Sequence, residues 1–378
     1  MSMLPINNQK KSISRFHTIF VVGLALLVGL VVASGFFVFT QISRHPQKQD
    51  LVGLGISKGT TVQKPSSIAA SESGGTESSV SFSFTAAGDY GQTSHTDANL
   101  NYIAKSGARF NLAIGDLNYD PTHVTPDAYS AYLKSHLPAN FPFEIIAGDH
   151  DTDNIDHYAA DLPDHLGHLT GTYAKEYAFD YPAGTPLARF ILLSPSNVIP
   201  GYLYNKDGSH YNWVAQQIDG ARNAHIPWVI VAMHEYCFTI GSLGCPASDL
   251  LNLLISKKVD LILQGHKHDY QASKQLAFNG TTCTALSTTY NSHCVVNATK
   301  SLTKGAGSII VVTGTGGITP LLSIDTTDPR MGYFRNWMAA NINQTWGVSQ
   351  FTVTASQLTM KFVGTSGGNF TDNFTIHV

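Results

Sequence analysis

Five short apolar runs each end in aspartate or histidine, the oxygen and nitrogen donors that proteins use to hold metal ions. They lead into Gly88-Asp89-Tyr90-Gly91, Gly115-Asp116-Leu117-Asn118-Tyr119, Gly148-Asp149-His150-Asp151, Met233-His234 and Gly265-His266-Lys267-His268. One Gly-Asp after an apolar run is ordinary turn chemistry. Five such endings in succession point to a shared cation site. Glycine ahead of the ligand is expected to let the backbone turn sharply.

The runs that carry these endings are SFSFTAA, FNLAI, FEIIA, WVIVAM and VDLILQ. Each has strand length and the β-branched or aromatic content of a buried strand. Helix-compatible stretches at 95–106, 126–136 and 210–222 alternate with them, which argues for an α/β fold. Pro126 suits the first turn of the second helix, and Pro138 ends it. In open α/β sheets, functional groups collect at the carboxyl ends of the strands, where these motifs stand. Farther on, SIIVVTGTGG, VSQFTVTA, QLTMKFVG and DNFTIHV follow without helices, so an antiparallel end to the chain and mixed sheets are expected.

In order and spacing the five motifs resemble the calcineurin-like metallophosphoesterases. Tyr119, three residues after Asp116, is similar to the purple acid phosphatase branch. The resemblance covers residues 81 to about 325, and Gly314-Thr315-Gly316-Gly317 and Trp346-Gly347 extend it less specifically. It implies a four-layer sandwich of two mixed β-sheets flanked by helices, over residues 81–378. It also implies two metal ions, Fe(III) with Zn(II), Mn(II) or Fe(II). Asp89, Asp116, Tyr119 and His268 would hold the ferric ion, and Asp116, Asp149, His234 and His266 the second, with Asp116 bridging. Carboxylate and phenolate oxygens suit a ferric ion, whereas imidazoles suit the softer divalent ions.

The reaction implied is hydrolysis of phosphate monoesters, from small molecules or proteins, by a metal-held hydroxide at a two-metal clamp. His150 is assigned to substrate contact and protonation of the leaving oxygen. Asp151 either orients His150 or caps its turn, and Tyr90 either lines the substrate mouth or packs. The loop Gly314–Gly317 is expected to approach the site closely. It is no phosphate-cradling P-loop, because no Lys-Ser/Thr follows it. A phosphodiesterase or nucleotidase on the same site is the nearest alternative. A surface binding protein with a degenerate metal site is the alternative of another class.

One position departs from the family pattern, which has asparagine where Asp149 stands. A ferric and a divalent ion against Asp89, Asp116, Tyr119, Asp149 and a bridging hydroxide sum to no net charge. Asparagine would leave one positive charge. A neutral site attracts a phosphate dianion less, unless Asp149 acts simply as an equivalent oxygen ligand.

The rest of the sequence sets the setting. The 378 residues carry a net charge of −3 and no basic stripe, so no nucleic-acid-binding surface is evident. From Ile19 to Thr40 there is no charged side chain, and Lys10, Lys11 and Arg15 precede it. About 20 apolar residues span a hydrocarbon core, and positive flanks stay cytoplasmic. The expectation is a short cytoplasmic tail (1–18), a membrane anchor (19–40), a Ser/Gly-rich linker (41–80) and an extracytoplasmic catalytic domain. Cleavage near Ala33-Ser34-Gly35 would instead release a secreted form. Four cysteines, Cys237, Cys245, Cys283 and Cys294, fit an oxidising compartment; of three possible pairings, 237–245 with 283–294 is expected.

Overall fold

The computed structural model describes residues 80–120, 122–195, 198–235, 237–241 and 247–378. The expected anchor at 19–40 and the linker up to residue 79 lie outside these residues. Among the described residues no helix is long and apolar enough to cross a membrane. The Cys283–Cys294 disulfide is formed, with Cα atoms 5.2 Å apart. The other expected pairing falls outside the described residues at Cys245.

The first part of the chain alternates β1 (Ser81–Ala87), α1 (Ser94–Ile103), β2 (Asn111–Ile114), α2 (Pro126–His136), β3 (Phe143–Ile146) and α3 (Ile155–Asp161). Then come β4 (Thr170–Thr172), β5 (Glu176–Tyr181), β6 (Ala188–Leu193), α4 (Ser209–Asn223), β7 (Trp228–Met233), α5 (Ser248–Ser256) and β8 (Leu261–Gln264). Strands alone follow, apart from single turns of 3₁₀ helix. These are β9 (Tyr270–Ser273), β10 (Gln275–Leu276), β11 (Val295–Asn297), β12 (Ser301–Thr303), β13 (Ile309–Thr313) and β14 (Phe334–Met338). The last three are β15 (Thr345–Thr354), β16 (Gln357–Gly367) and β17 (Asp372–His377).

Two mixed sheets result, with β10 and β11 forming a separate ribbon. The first sheet runs β12-β17-β16-β15-β1-β2-β3, and the second β14-β9-β13-β8-β7-β6-β5-β4. β1, β2 and β3 are mutually parallel, as are β6, β7, β8 and β13. The antiparallel end of the chain holds for β15–β17. β13 departs from it, because it lies parallel to β8 within the second sheet.

Packing follows from the period-two alternation of the strands. In β1, Phe82, Phe84 and Ala86 point between the sheets, while Ala87 faces the helices. The Phe84 ring lies 4.7 Å from Phe351 of its own sheet and 5.1 Å from Phe190 of the other. Truncating such a buried ring to alanine costs about 3–5 kcal/mol. α1, α2 and α3 cover the first sheet through Leu100, Tyr129 and Tyr158. α4 and α5 cover the second through Ile218 and Leu254. Four layers are thus in place. α2 has the expected bounds, with the Thr125 hydroxyl accepting the Ala128 N–H at its start and Pro126 in its first turn.

Candidate metal centre

β1, β2 and β3 of one sheet and β7 and β8 of the other end at the same rim of the sandwich. All five motifs therefore meet there. Asp116, Asp149, His234 and His266 each bring a ligand atom within 4.8 Å of the others, and Asp89, Asp116 and His268 do the same. Asp116 is common to both groups. The Tyr119 hydroxyl joins the second group, donating to Asp89 Oδ1 (2.9 Å) and lying 2.9 Å from His268 Nε2. Two overlapping sets of carboxylate, phenol and imidazole donors are what a pair of cations requires, so the residues fit the implied group.

Backbone geometry aims these side chains. Asp89, Asp116 and His266 adopt left-handed φ values of 64°, 51° and 65°. Asp and His tolerate that region better than most residues, at a cost of order 1–3 kcal/mol each. The sharp turn expected of the preceding glycines therefore belongs largely to the ligands themselves. Gly88, Gly148 and Gly265 answer a different need, close packing. A Cβ on Gly88 or Gly265 would lie 2.6 Å from the Ile114 carbonyl oxygen, and on Gly148 2.0 Å from Asp116 Oδ1. Of these four glycines ahead of a candidate ligand, Gly115 alone combines positive φ (73°) with such crowding, here against His234. Gly314 packs in the same way, since its Cβ would stand 2.7 Å from Asp89 Oδ2.

Hydrogen bonds then fix the donors. His234 Nδ1 lies 2.8 Å from the Ile114 carbonyl oxygen, which places a proton on Nδ1 and turns Nε2 toward Asp116 and Asp149. The His266 N–H donates to Asp89 Oδ2 (2.9 Å), and His266 Nδ1 meets Asp149 Oδ1 at 2.8 Å. The His150 N–H donates to Asp116 Oδ1 (2.9 Å). Contacts across the two sheets thus hold the ligands in register.

Charge follows the same geometry. Burial opposes ionisation of His234, but the Asp116, Asp149 and Asp89 carboxylates outweigh it and drive its pKa well above the usual histidine range. Burial likewise raises Asp149, yet its bonds to His234 and His266 hold it far below the ordinary carboxylate value. Tyr119 is pushed strongly upward, by burial first and then by Asp89 and Asp116. Cation uptake by such a site is coupled to proton release.

The other residues named from the sequence divide. His150 sits at the mouth, its side chain 47% exposed and its ring 4.4 Å from that of Tyr119. Tyr90 does not line the mouth. It is fully buried, its hydroxyl receiving a bond from Asn111 Nδ2 (3.0 Å) and its ring packed 5.7 Å from Phe143. Asp151 caps instead of orienting His150: its buried carboxylate accepts the Leu117 N–H (3.0 Å) and the Gly148 N–H (2.9 Å). It thereby locks two ligand-bearing turns together. Burial and the charge of Asp116 raise Asp151 to about 7. Glu235 is a buried carboxyl that the motifs alone do not single out; burial lifts it to about 7 against the pull of His266 and His234. Its only sequence signal is its place after His234.

Comparison with known proteins agrees with this geometry. The calcineurin-like phosphoesterase family model matches residues 82–270, half of the chain. Purple acid phosphatase 1 of Ipomoea batatas is 23% identical over 273 residues, covering 67% of this chain and 54% of the relative. Fe(3+)-Zn(2+) purple acid phosphatase 12 of Arabidopsis thaliana is 22% identical over 275 residues, with the same coverage of 67% and 54%. The chain thus spans about half the length of the curated relatives it matches. The purple acid phosphatase PPD1 from yellow lupin (Lupinus luteus) shares the fold with a TM-score of 0.57 at 19% identity, covering 79% of this chain and 54% of that one. The chain belongs to the calcineurin-like phosphoesterase family, and its similarity runs to the purple acid phosphatase branch.

Proposed function

We propose that this protein hydrolyses phosphate monoesters at a dinuclear metal centre. The observation that carries the reading is the sharing of Asp116 between two groups of convergent ligand atoms. A relative with an Fe(3+)-Zn(2+) centre supports Fe(III) held by Asp89, Asp116, Tyr119 and His268, beside Zn(II), Mn(II) or Fe(II) held by Asp116, Asp149, His234 and His266. When bound, such a pair neutralises phosphate charge and lowers the pKa of water enough for it to attack phosphorus.

The chain's own groups do the rest. Asp116, common to both donor groups, would be shared by the two ions. Asp89, tied to the His266 N–H and the Tyr119 hydroxyl, keeps the two halves of the site in register. His150 faces solvent beside Tyr119, where its ring can bind the phosphate and deliver a proton to the departing oxygen. Burial of Asp89, Asp116 and His234 keeps bulk water from these donors.

We further propose that the domain works outside the cell, tethered by the apolar segment 19–40. The charge-free run and its basic flank support this.

The test is metal-dependent turnover of an aryl phosphate monoester against the matching diester. The expected result is faster monoester hydrolysis, abolished by chelation and restored by iron with zinc. Diester preference would move the reading to the phosphodiesterase alternative. Turnover that survives complete chelation would refute it.

A further inference from the structure

We infer that Ile318 and Leu322 form the subsite for the organic part of the ester, so that esters of apolar alcohols are the preferred substrate class. This rests on the phosphatase reading above and extends it to specificity. The loop after β13 passes directly along the Asp89 side of the site. The Ile318 N–H donates to the Asp89 carbonyl (3.0 Å), and the Leu322 N–H to the His268 carbonyl (2.8 Å). Two ligand-bearing residues are thereby each one backbone bond from an aliphatic residue.

The side chain of Ile318 lies beside Tyr119. A Cβ on Gly91 would stand 3.6 Å from Ile318 Cδ1 and 3.6 Å from Tyr119 Cδ2, so the two side chains flank the gap that this glycine leaves. The Tyr119 ring continues to His150 at the mouth. Leu322 is 40% exposed, while its neighbour Leu321 is buried in the core between the sheets. An exposed leucine taken alone needs no explanation. Here its backbone is bonded to that of His268, and Ile318 beside the tyrosine ring gives this edge of the candidate site an apolar shoulder.

That shoulder is held ready. Thr93 Oγ1 donates to the Gly317 carbonyl (2.7 Å), Asn99 Nδ2 to the Gly316 carbonyl (2.8 Å), and Trp346 Nε1 to the Ile318 carbonyl (2.8 Å). A preorganised apolar surface beside a charged centre binds the carbon skeleton of a substrate with little ordering cost.

The experiment compares kcat/KM for hexyl phosphate and glycerol phosphate, two primary-alcohol esters with similar leaving groups, in the metal-loaded full chain. Wild type should favour hexyl phosphate, and Leu322→Ser and Ile318→Ser should each lower the hexyl-to-glycerol ratio about tenfold, the scale of lost methylene contacts. Leu322, being exposed, provides the variant least able to disturb folding. Equal turnover of both esters by wild type, or a ratio unchanged in both variants, overturns this inference and leaves the phosphatase reading standing. Hydrolysis of neither ester by wild type overturns both.

Discussion

The two halves of the candidate centre are built differently. Around Asp89, Tyr119 and His268 the ligands are oxygen-rich and enclosed: the Asp89 side chain is 0% exposed and that of His268 19%. Around Asp149 and His266 the side chains are 40% and 34% exposed, and imidazoles make up two of the four donors. Only His234 on that side is fully buried, pinned through Ile114. One donor set is therefore enclosed and rich in hard oxygens, and the other opens at the mouth with softer imidazoles. The enclosed half should retain its ion while the open half exchanges.

The comparison breaks most completely at Asp116, the residue the halves share. Asp116→Ala should lower hydrolysis by more than about 100-fold and remove both ions, since even outer-shell changes at metal sites cost 10–100-fold. Metal analysis beside kinetics reads both effects; loss of one ion alone would show that Asp116 does not bridge. Next in size, His266→Ala should release only the open-side ion, whereas Tyr119→Phe should abolish the visible absorption that a tyrosinate on Fe(III) would give and keep the second ion. Identical metal loss in the two variants would erase the distinction between the halves. Asp149→Asn removes one negative charge from the open half and should tighten inhibition by inorganic phosphate a few-fold. Unchanged or weaker inhibition would mean that Asp149 serves only as an oxygen ligand.

The smallest effect lies away from the centre. Asp89 and Glu144 are both fully buried carboxylates, but Asp89 is hydrogen-bonded from both sides while Glu144 Oε2 has no partner. Burial, with the charge of Asp164, raises Glu144 to about 8 from an ordinary 4.5. The folded chain then holds a proton that the unfolded chain releases between these values, so stability falls as pH rises through that window. Glu144→Gln should remove this fall, gaining about 2–4 °C in Tm per kcal/mol at pH 9 relative to pH 5. A constant difference in Tm between variant and wild type across this range would contradict it.

The candidate ligands are legible in the sequence because each stands at or just after the end of a buried apolar run, a local pattern that survives without knowledge of the fold. What it leaves open has identifiable physical causes. Tyr90 follows Asp89, whose left-handed φ breaks the period-two alternation, and so its ring enters the core instead of the mouth. The turn chemistry assigned to glycine is shared out, because crowding by Ile114 and Asp116 from distant strands is invisible locally. Strands β5 and β6 escape a reading led by ligand motifs, because they end at Tyr181 and Leu193 without a ligand. The placement of β13 beside β8, and of the Ile318 loop against Asp89, depends on long-range pairing that no spacing encodes.

The central claim is that seven side chains, Asp89, Asp116, Tyr119, Asp149, His234, His266 and His268, hold two cations in one site. Quantitative metal analysis of the purified, fully active protein tests it most directly. The account predicts two equivalents per chain, with activity rising in proportion to the second. Full activity with one equivalent or none would contradict it.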